Sequence, residues 1–322
     1  LLIEHMSYGG IIQAGDRLVT LEDSHGLKIF EEVSNKALVF EAADAIITVT
    51  YAGRALFGGK FTDHWLAELL TGEEISMSLP RGIRIGPEFR RMKLSDVFFR
   101  VWQALSVPNH WLVRRGQWYR TYFELSLLGW KWNHRYFQPF VLRFKKPSGT
   151  RRFDYQFETI SPSRMNRYFW ASFPDMNLTR AELIEIKSDI QNHSDYWGNI
   201  EDAFARAIQR VSLKEPRVGS HSITVSIPNP GFSRLITVKY HKPDNENLIY
   251  HLDGPGGESL NVMTTPWIIG GGVITPPQVL SGGSASCTDA FEIRCIAPIN
   301  ENSHIKFSSS SLARVTDIDP NE

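Results

Sequence analysis

The chain has 322 residues, 42% of them hydrophobic and 22% charged, and its 35 Lys and Arg equal its 35 Asp and Glu. That balance suits a folded chain with a sizeable core, and the absence of any eighteen-residue apolar run excludes a membrane-spanning helix. The zero net charge hides a segregation: residues 81–152 hold sixteen Lys and Arg against Glu88, Asp96 and Glu124, a local excess of +13 that the remaining residues offset. Such an asymmetry suits an anion-facing surface.

Leu1-Leu-Ile3 reads as the end of a strand, running straight into Glu4-His5 without the features of a secretory leader. Because the first residue is not Met, the natural start is expected upstream. A turn at Gly9-Gly10 leads into a second strand that approaches Asp16, so the first two strands form an antiparallel pair. Ala37–Phe40 and Ala45–Tyr51 are β-branched and aromatic and predict two more strands. Thr62 is a candidate cap for a helix over Asp63–Leu70, which Gly72 ends.

Residues 80–175 differ in character. Leu94–Leu105 has a helical pattern with Ser95 as candidate cap, while Trp118–Trp132, Phe140–Phe144 and Tyr168–Phe173 are aromatic strand candidates. Thr179 and Glu182 form a capping box opening a helix over Ala181–Gln191. Asn199 is the candidate cap of a helix over Ile200–Val211, where Ala203, Phe204, Ala207, Ile208 and Val211 make one apolar stripe. Strands follow at Ser222–Ile227, Leu235–Tyr240, Trp267–Ile269, Val273–Ile274 and Phe291–Ile296. The tail 308–322 is Ser-rich, then acidic, and is expected to fray.

Cys287 and Cys295 would stand roughly 26 Å apart along one strand, beyond the about 7 Å that a disulfide tolerates. Reduced thiols in a cytoplasmic protein are expected. Cys-x-x-Cys and His-x-x-x-His spacings are absent, so neither metal nor cofactor is expected. His64 and His221 read as packing or surface residues, and Thr265-Pro266-Trp267 as a rigid corner. The glycine-rich runs at 270–272 and 281–286 precede no helix with a Lys and read as turns.

The strongest signal lies in three segments: Gly10-Ile-Ile-Gln-Ala-Gly-Asp16-Arg17-Leu-Val-Thr20, Asn35-Lys36, and Val49-Thr-Tyr51-Ala-Gly53-Arg-Ala55. Together they resemble the opening of the proteasome β-subunit group of the N-terminal-nucleophile (Ntn) hydrolases. The resemblance covers roughly the first 75 residues well and the last 110 loosely. It implies an α+β fold, a four-layer αββα sandwich of two antiparallel sheets, which the succession of strands, helices and strands also suits. One domain would span 1–322, with residues 80–175 as a basic, aromatic insertion within it.

The resemblance also implies a mechanism. The first residue's hydroxyl or thiol attacks a carbonyl and its free α-amine serves as base. Lys36 would stabilise the deprotonated nucleophile, Asp16 would orient Lys36, and the Gly53 N–H would hold the oxyanion. A peptide or small amide is the implied substrate and a homo-oligomer the implied assembly. Taken singly, Asp16-Arg17 also reads as a surface ion pair, Lys36 as a solvated turn residue and Gly53 as a tight strand end.

Two departures stand against this. The family register places the nucleophile one position before Leu1, which itself carries none; Ser7, exposed if translation began at Met6, would leave no first strand. A later Asp and Ser of the family pattern fall on Pro216 and Gly219. The alternative is therefore a catalytically silent Ntn-fold protein that binds a partner through segment 81–152. A nucleic-acid module is a third reading, since Arg114, Arg115, Lys131 and Arg135 interleave with Trp118, Tyr119, Trp130, Trp132 and Tyr136. Alternation along a strand explains Trp130-Lys131-Trp132 more simply, with no nucleic acid or membrane as partner.

Overall fold

Alternating apolar residues and short turns produce mainly strands, as the computed structural model shows. It describes the chain apart from residues 24–25, 32–33, 76–89, 107–121, 151, 166–167, 173–180, most of 181–196, 233–234, 242–249, 254–258, 265, 271–272, 278, 282–289, 296–304 and 309–322. The first third contains β1 (Leu2–Ser7), β2 (Gly10–Asp16), β3 (Val19–Asp23), β4 (Gly26–Glu31), β5 (Ala37–Glu41), β6 (Ala45–Gly53), β7 (Leu56–Phe57), β8 (Lys60–Phe61) and helix α1 (Thr62–Thr71). Next come α2 (Leu94–Ser106), β9 (Phe123–Asn133), β10 (Tyr136–Lys146), β11 (Asp154–Thr159), the short α3 (Pro162–Met165), β12 (Phe169–Ser172) and α4 (Trp197–Ser212). The rest is β13 (Ser222–Pro228), β14 (Leu235–His241), β15 (Tyr250–Asp253), β16 (Ser259–Thr264), β17 (Trp267–Gly270), β18 (Val273–Thr275), β19 (Val279–Ser281), β20 (Ala290–Cys295) and β21 (Ile305–Ser308).

The architecture is mixed α+β, with several sheets and few helices. One seven-stranded sheet has the order β12-β1-β2-β13-β14-β20-β21 and the other β11-β10-β9-β6-β5-β17-β18. Pairing is antiparallel with one exception among the described strands: β17 runs parallel to β5, with Ile268 opposite Val39. The expectation of purely antiparallel sheets is corrected there. A parallel neighbour needs a long crossover, and more than two hundred residues separate these two strands.

Segment 80–175 contributes α2, α3 and, among the described residues, four of the strands. β9 and β10 pair along eleven residues each, and β9 continues the sheet from β6. β12 pairs with β1 at the edge of the other sheet.

Three apolar clusters fill the molecule. Met6, Ile11, Val225 and Val238 of the first sheet share one with Val39, Ile46, Leu128, Trp130 and Val141 of the second. Leu66, Leu70, Val97 and Val101 of α1 and α2 cover the opposite face of the second sheet, against Ile47, Tyr51, Leu125 and Phe140. The predicted stripe of α4 lies on Ile3, Ile12 and Ala14 of the first sheet. Burying a side chain such as Phe204 or Ile208 there is worth on the order of 2 kcal/mol.

Helix ends differ from expectation. Gly72 closes α1 in the left-handed conformation, its N–H donating to Glu68 as predicted. Thr62 does not cap α1: it lies inside the helix and donates to the Arg54 carbonyl. For α2, Asp44 rather than Ser95 accepts the Leu94 N–H, at 2.7 Å. Asn199 falls within α4, which begins two residues earlier. The predicted capping box at Thr179, Cys287 and the tail after 308 lie outside the described residues. Among the described residues no helix is long and apolar enough to cross a membrane.

Candidate active site

Strand alternation builds the site. β1 turns Leu1 and Ile3 toward α4 and Glu4 and Met6 toward the second sheet. β2 returns antiparallel to β1, with Leu2 opposite Gly15, so Asp16 arrives beside Leu1. On its other side β2 meets β13, where Asp16 is opposite Ser222.

Asp16 is wholly buried and takes four donors. The Leu1 α-ammonium donates to Oδ1 at 2.7 Å and Lys36 Nζ to Oδ2 at 2.8 Å. The backbone N–H groups of Leu18 and Gly219 add 3.2 and 3.4 Å contacts to Oδ2. Burial alone would raise the carboxyl, but Lys36 and the α-ammonium hold it at about 2. Burial pushes the α-ammonium below its usual range; Asp16 opposes that shift and Lys36 adds to it.

The reading of Asp16-Arg17 as a surface ion pair is thereby corrected. Both residues are buried. Arg17 turns away, donating from Nε to the Ser34 carbonyl at 3.2 Å and placing its guanidinium 4.6 Å from the Tyr240 ring centre. Lys36 is likewise buried, not a solvated turn residue. It follows the pattern of β5 backward to a position whose carbonyl accepts the Tyr51 N–H of β6.

Gly53 ends β6, two residues beyond Tyr51 and so about 7 Å further along the strand. It lies at the same end of the sheet as Lys36 and is exposed. Its φ of +92° belongs to the left-handed region, and a Cβ would stand 2.2 Å from the Tyr122 carbonyl oxygen, so only glycine fits. Gly219, where the resemblance would place a Ser, approaches Leu18 so closely that a Cβ would lie 2.7 Å from that side chain. The position gives Asp16 a backbone donor instead of a hydroxyl.

Around this end the layer between the sheets is polar. Thr48 and Thr50 of β6, Glu124 and Ser126 of β9, Gln13 of β2 and Glu4 of β1 are all fully buried. Gln13 Nε2 donates to Glu4 at 2.9 Å and to the Ser126 carbonyl at 3.3 Å, joining the two sheets. Arg143 of β10 pairs with Glu4 and hydrogen-bonds the Tyr168 hydroxyl. Its guanidinium lies 4.2 Å from the Trp170 ring centre. Among the described residues Gln13 Oε1, Thr50 Oγ1, Glu124 Oε1, Ser126 Oγ and Ser222 Oγ have no hydrogen-bond partner. Buried polar atoms of that kind are rare unless something binds them.

None of these interior polar residues was singled out in the sequence. Glu124-Leu-Ser126-Leu-Leu and Thr48-Val-Thr50-Tyr51 alternate polar with apolar, the pattern of a strand with one wet face. Here the polar face is covered by the other sheet. Of the basic, aromatic set, Trp130 is buried and donates from its indole to the Ile227 carbonyl at 3.3 Å. Trp132 packs on Phe137 at 4.9 Å. Arg114, Arg115, Trp118 and Tyr119 lie outside the described residues.

No group of three His, Cys, Asp or Glu among the described residues is placed to hold a metal ion. No protein-family model and no curated protein matches the chain.

Proposed function

We propose that the protein is an amide-cleaving hydrolase of the N-terminal-nucleophile type, with a peptide or small amide as substrate. The observation that carries this reading is the buried Asp16 clamped between Lys36 and the α-nitrogen of Leu1. The succession of the three apolar clusters supports the accompanying αββα layering, with helices outside and two sheets within.

Strand geometry adds a second support. Side chains alternate along β1, so a residue joined to the nitrogen of Leu1 would point to the side of Glu4 and Met6, between the sheets. A Thr, Ser or Cys there would sit beside Lys36 and the polar lining. Its hydroxyl or thiol would attack the substrate carbonyl and pass its proton to the same residue's free α-amine. Lys36 would stabilise the developing charge on the nucleophile, and the Gly53 N–H the oxyanion. Collapse would break the C–N bond, the departing amine taking the proton, and water would then hydrolyse the acyl-enzyme.

Intact-mass analysis of the mature protein tests the premise: a first residue Thr, Ser or Cys is expected, and a blocked or aliphatic terminus would remove the hydrolase reading. With a panel of peptide amides, Lys36→Ala should lose at least about 100-fold in kcat/KM, the scale of a lost acid–base or electrostatic partner. Lys36→Arg keeps the charge and reports whether any loss reflects folding. Unchanged rates in Lys36→Ala would exclude the role assigned to Lys36, and a parent that cleaves none of the panel would leave the silent, partner-binding reading in its place.

A further inference from the structure

The mechanism above gives the Gly53 N–H an oxyanion to hold, yet glycine has the most freedom to turn its backbone elsewhere. Pairing between β6 and β9 ends at Gly53, opposite Phe123, and Phe123 turns to the helix side, 5.1 Å from the Phe57 ring centre. What lies against Gly53 is the residue before it. A Cβ there would stand 2.2 Å from the Tyr122 carbonyl oxygen and 3.0 Å from Cδ1 of the Tyr122 ring. Main chain and ring of Tyr122 thus both abut the Gly53 Cα.

Tyr122 is itself anchored. Residues two apart along a strand share a face, so Tyr122 and Glu124 both look toward the first sheet. There the Tyr122 hydroxyl donates to Glu124 Oε2, and Ser172 Oγ of β12 donates to the same oxygen. The two hydroxyls lie 2.9 Å apart. Glu124 and Ser172 are buried, and hydrogen bonds are electrostatically stronger in such surroundings than in water. The Tyr122 ring is therefore held by its hydroxyl at one end and by its backbone, against Gly53, at the other.

We propose that Tyr122 is a positioning residue for Gly53: locked by Glu124 and Ser172, it fixes the direction of the Gly53 N–H. The inference rests on the hydrolase reading for its catalytic meaning. An oxyanion donor is effective because it is aimed before the charge develops, and a misplacement of about 1 Å can cost about 100-fold. Glu124 and Ser172, which have no task in the mechanism above, act on the site through the Tyr122 hydroxyl. None of the three touches the reacting atoms.

The test reads the Gly53 amide by NMR. Ala-Gly occurs twice in the chain, at 14–15 and 52–53, so carbonyl-labelled alanine with nitrogen-labelled glycine leaves two signals in a carbonyl-filtered spectrum. Gly15, paired on both sides within the first sheet, is the internal control, and Ala14→Ser removes its signal to assign the other. In Tyr122→Phe, which deletes only the hydroxyl, the Gly53 signal should shift and its heteronuclear NOE fall, as for a backbone freed on the ps–ns scale. The Gly15 signal should stay in place. Glu124→Gln, a weaker acceptor, should move Gly53 the same way by less. If the parent cleaves amides, Tyr122→Phe should lose about tenfold in kcat with KM unchanged. An unmoved Gly53 signal in folded Tyr122→Phe overturns the proposal, as does a change shared equally by Gly15; if that variant does not fold, an unmoved signal in Glu124→Gln does so. A moved Gly53 signal in a protein that cleaves no amide counts against the hydrolase reading alone, and cleavage with an unmoved signal against Tyr122 alone.

Discussion

Asp16 shows how one side chain can organise a site. A carboxylate stripped of water is costly unless charges and donors surround it, and here Lys36, the Leu1 nitrogen and two backbone N–H groups do so. Its folded pKa, about 2, lies below the unfolded value near ~3.9. The group therefore contributes stability in full above roughly pH 5 and loses it as pH falls through 2, an effect on the order of 2 kcal/mol. Urea unfolding between pH 6 and pH 2.5 should show that loss in the parent, whereas Asp16→Asn, less stable at pH 6, should lack this component. An identical acid profile in the two proteins would contradict the account. That Asp16 and Lys36 meet was legible because their neighbours form a recognisable pattern. Glu124 and Ser126 were not, because alternation reports that two faces differ and not which one meets water.

At the scale of elements, the sequence was most informative where a signal is local. The α4 stripe and the glycine stop of α1 depend on residues within a turn or two of each other. Caps supplied from elsewhere were invisible. Asp44, fifty residues before α2, accepts the Leu94 N–H and so ties that helix to the hairpin between β5 and β6. Asp44→Ala should cost about 1 kcal/mol of stability, as other lost caps do, while Ser95→Ala should change little. Chemical denaturation of the two variants compares them directly, and the reverse ranking would restore Ser95 as the cap. Near-neutral results for both would show that α2 is held by Val97 and Val101 alone.

Across the whole molecule, the sheets are joined by apolar contacts at one end and by ions at the other. Glu4 and Arg143 are a buried pair spanning them. Arg143→Met should cost roughly 3–5 kcal/mol, since Glu4 then remains buried without its cation; adding Glu4→Leu should recover most of that loss. A double variant as unstable as the sum of its singles would mean that the two groups act independently. Long-range order was the least legible level. β2 lies between β1 and β13, and β5 between β6 and β17, so the early strands acquire neighbours from the last third of the chain.

That interleaving constrains the order of events during synthesis. Emerging from a ribosome, β5 has β6 at hand but must wait for Trp267–Gly270 to close its other edge, and β2 must wait for Ser222–Pro228. Until then both present open hydrogen-bonding edges, which are templates for aggregation. A nascent chain stalled before residue 222 is thus expected to recruit chaperones, and truncation that removes Trp267–Gly270 to leave one edge of β5 open.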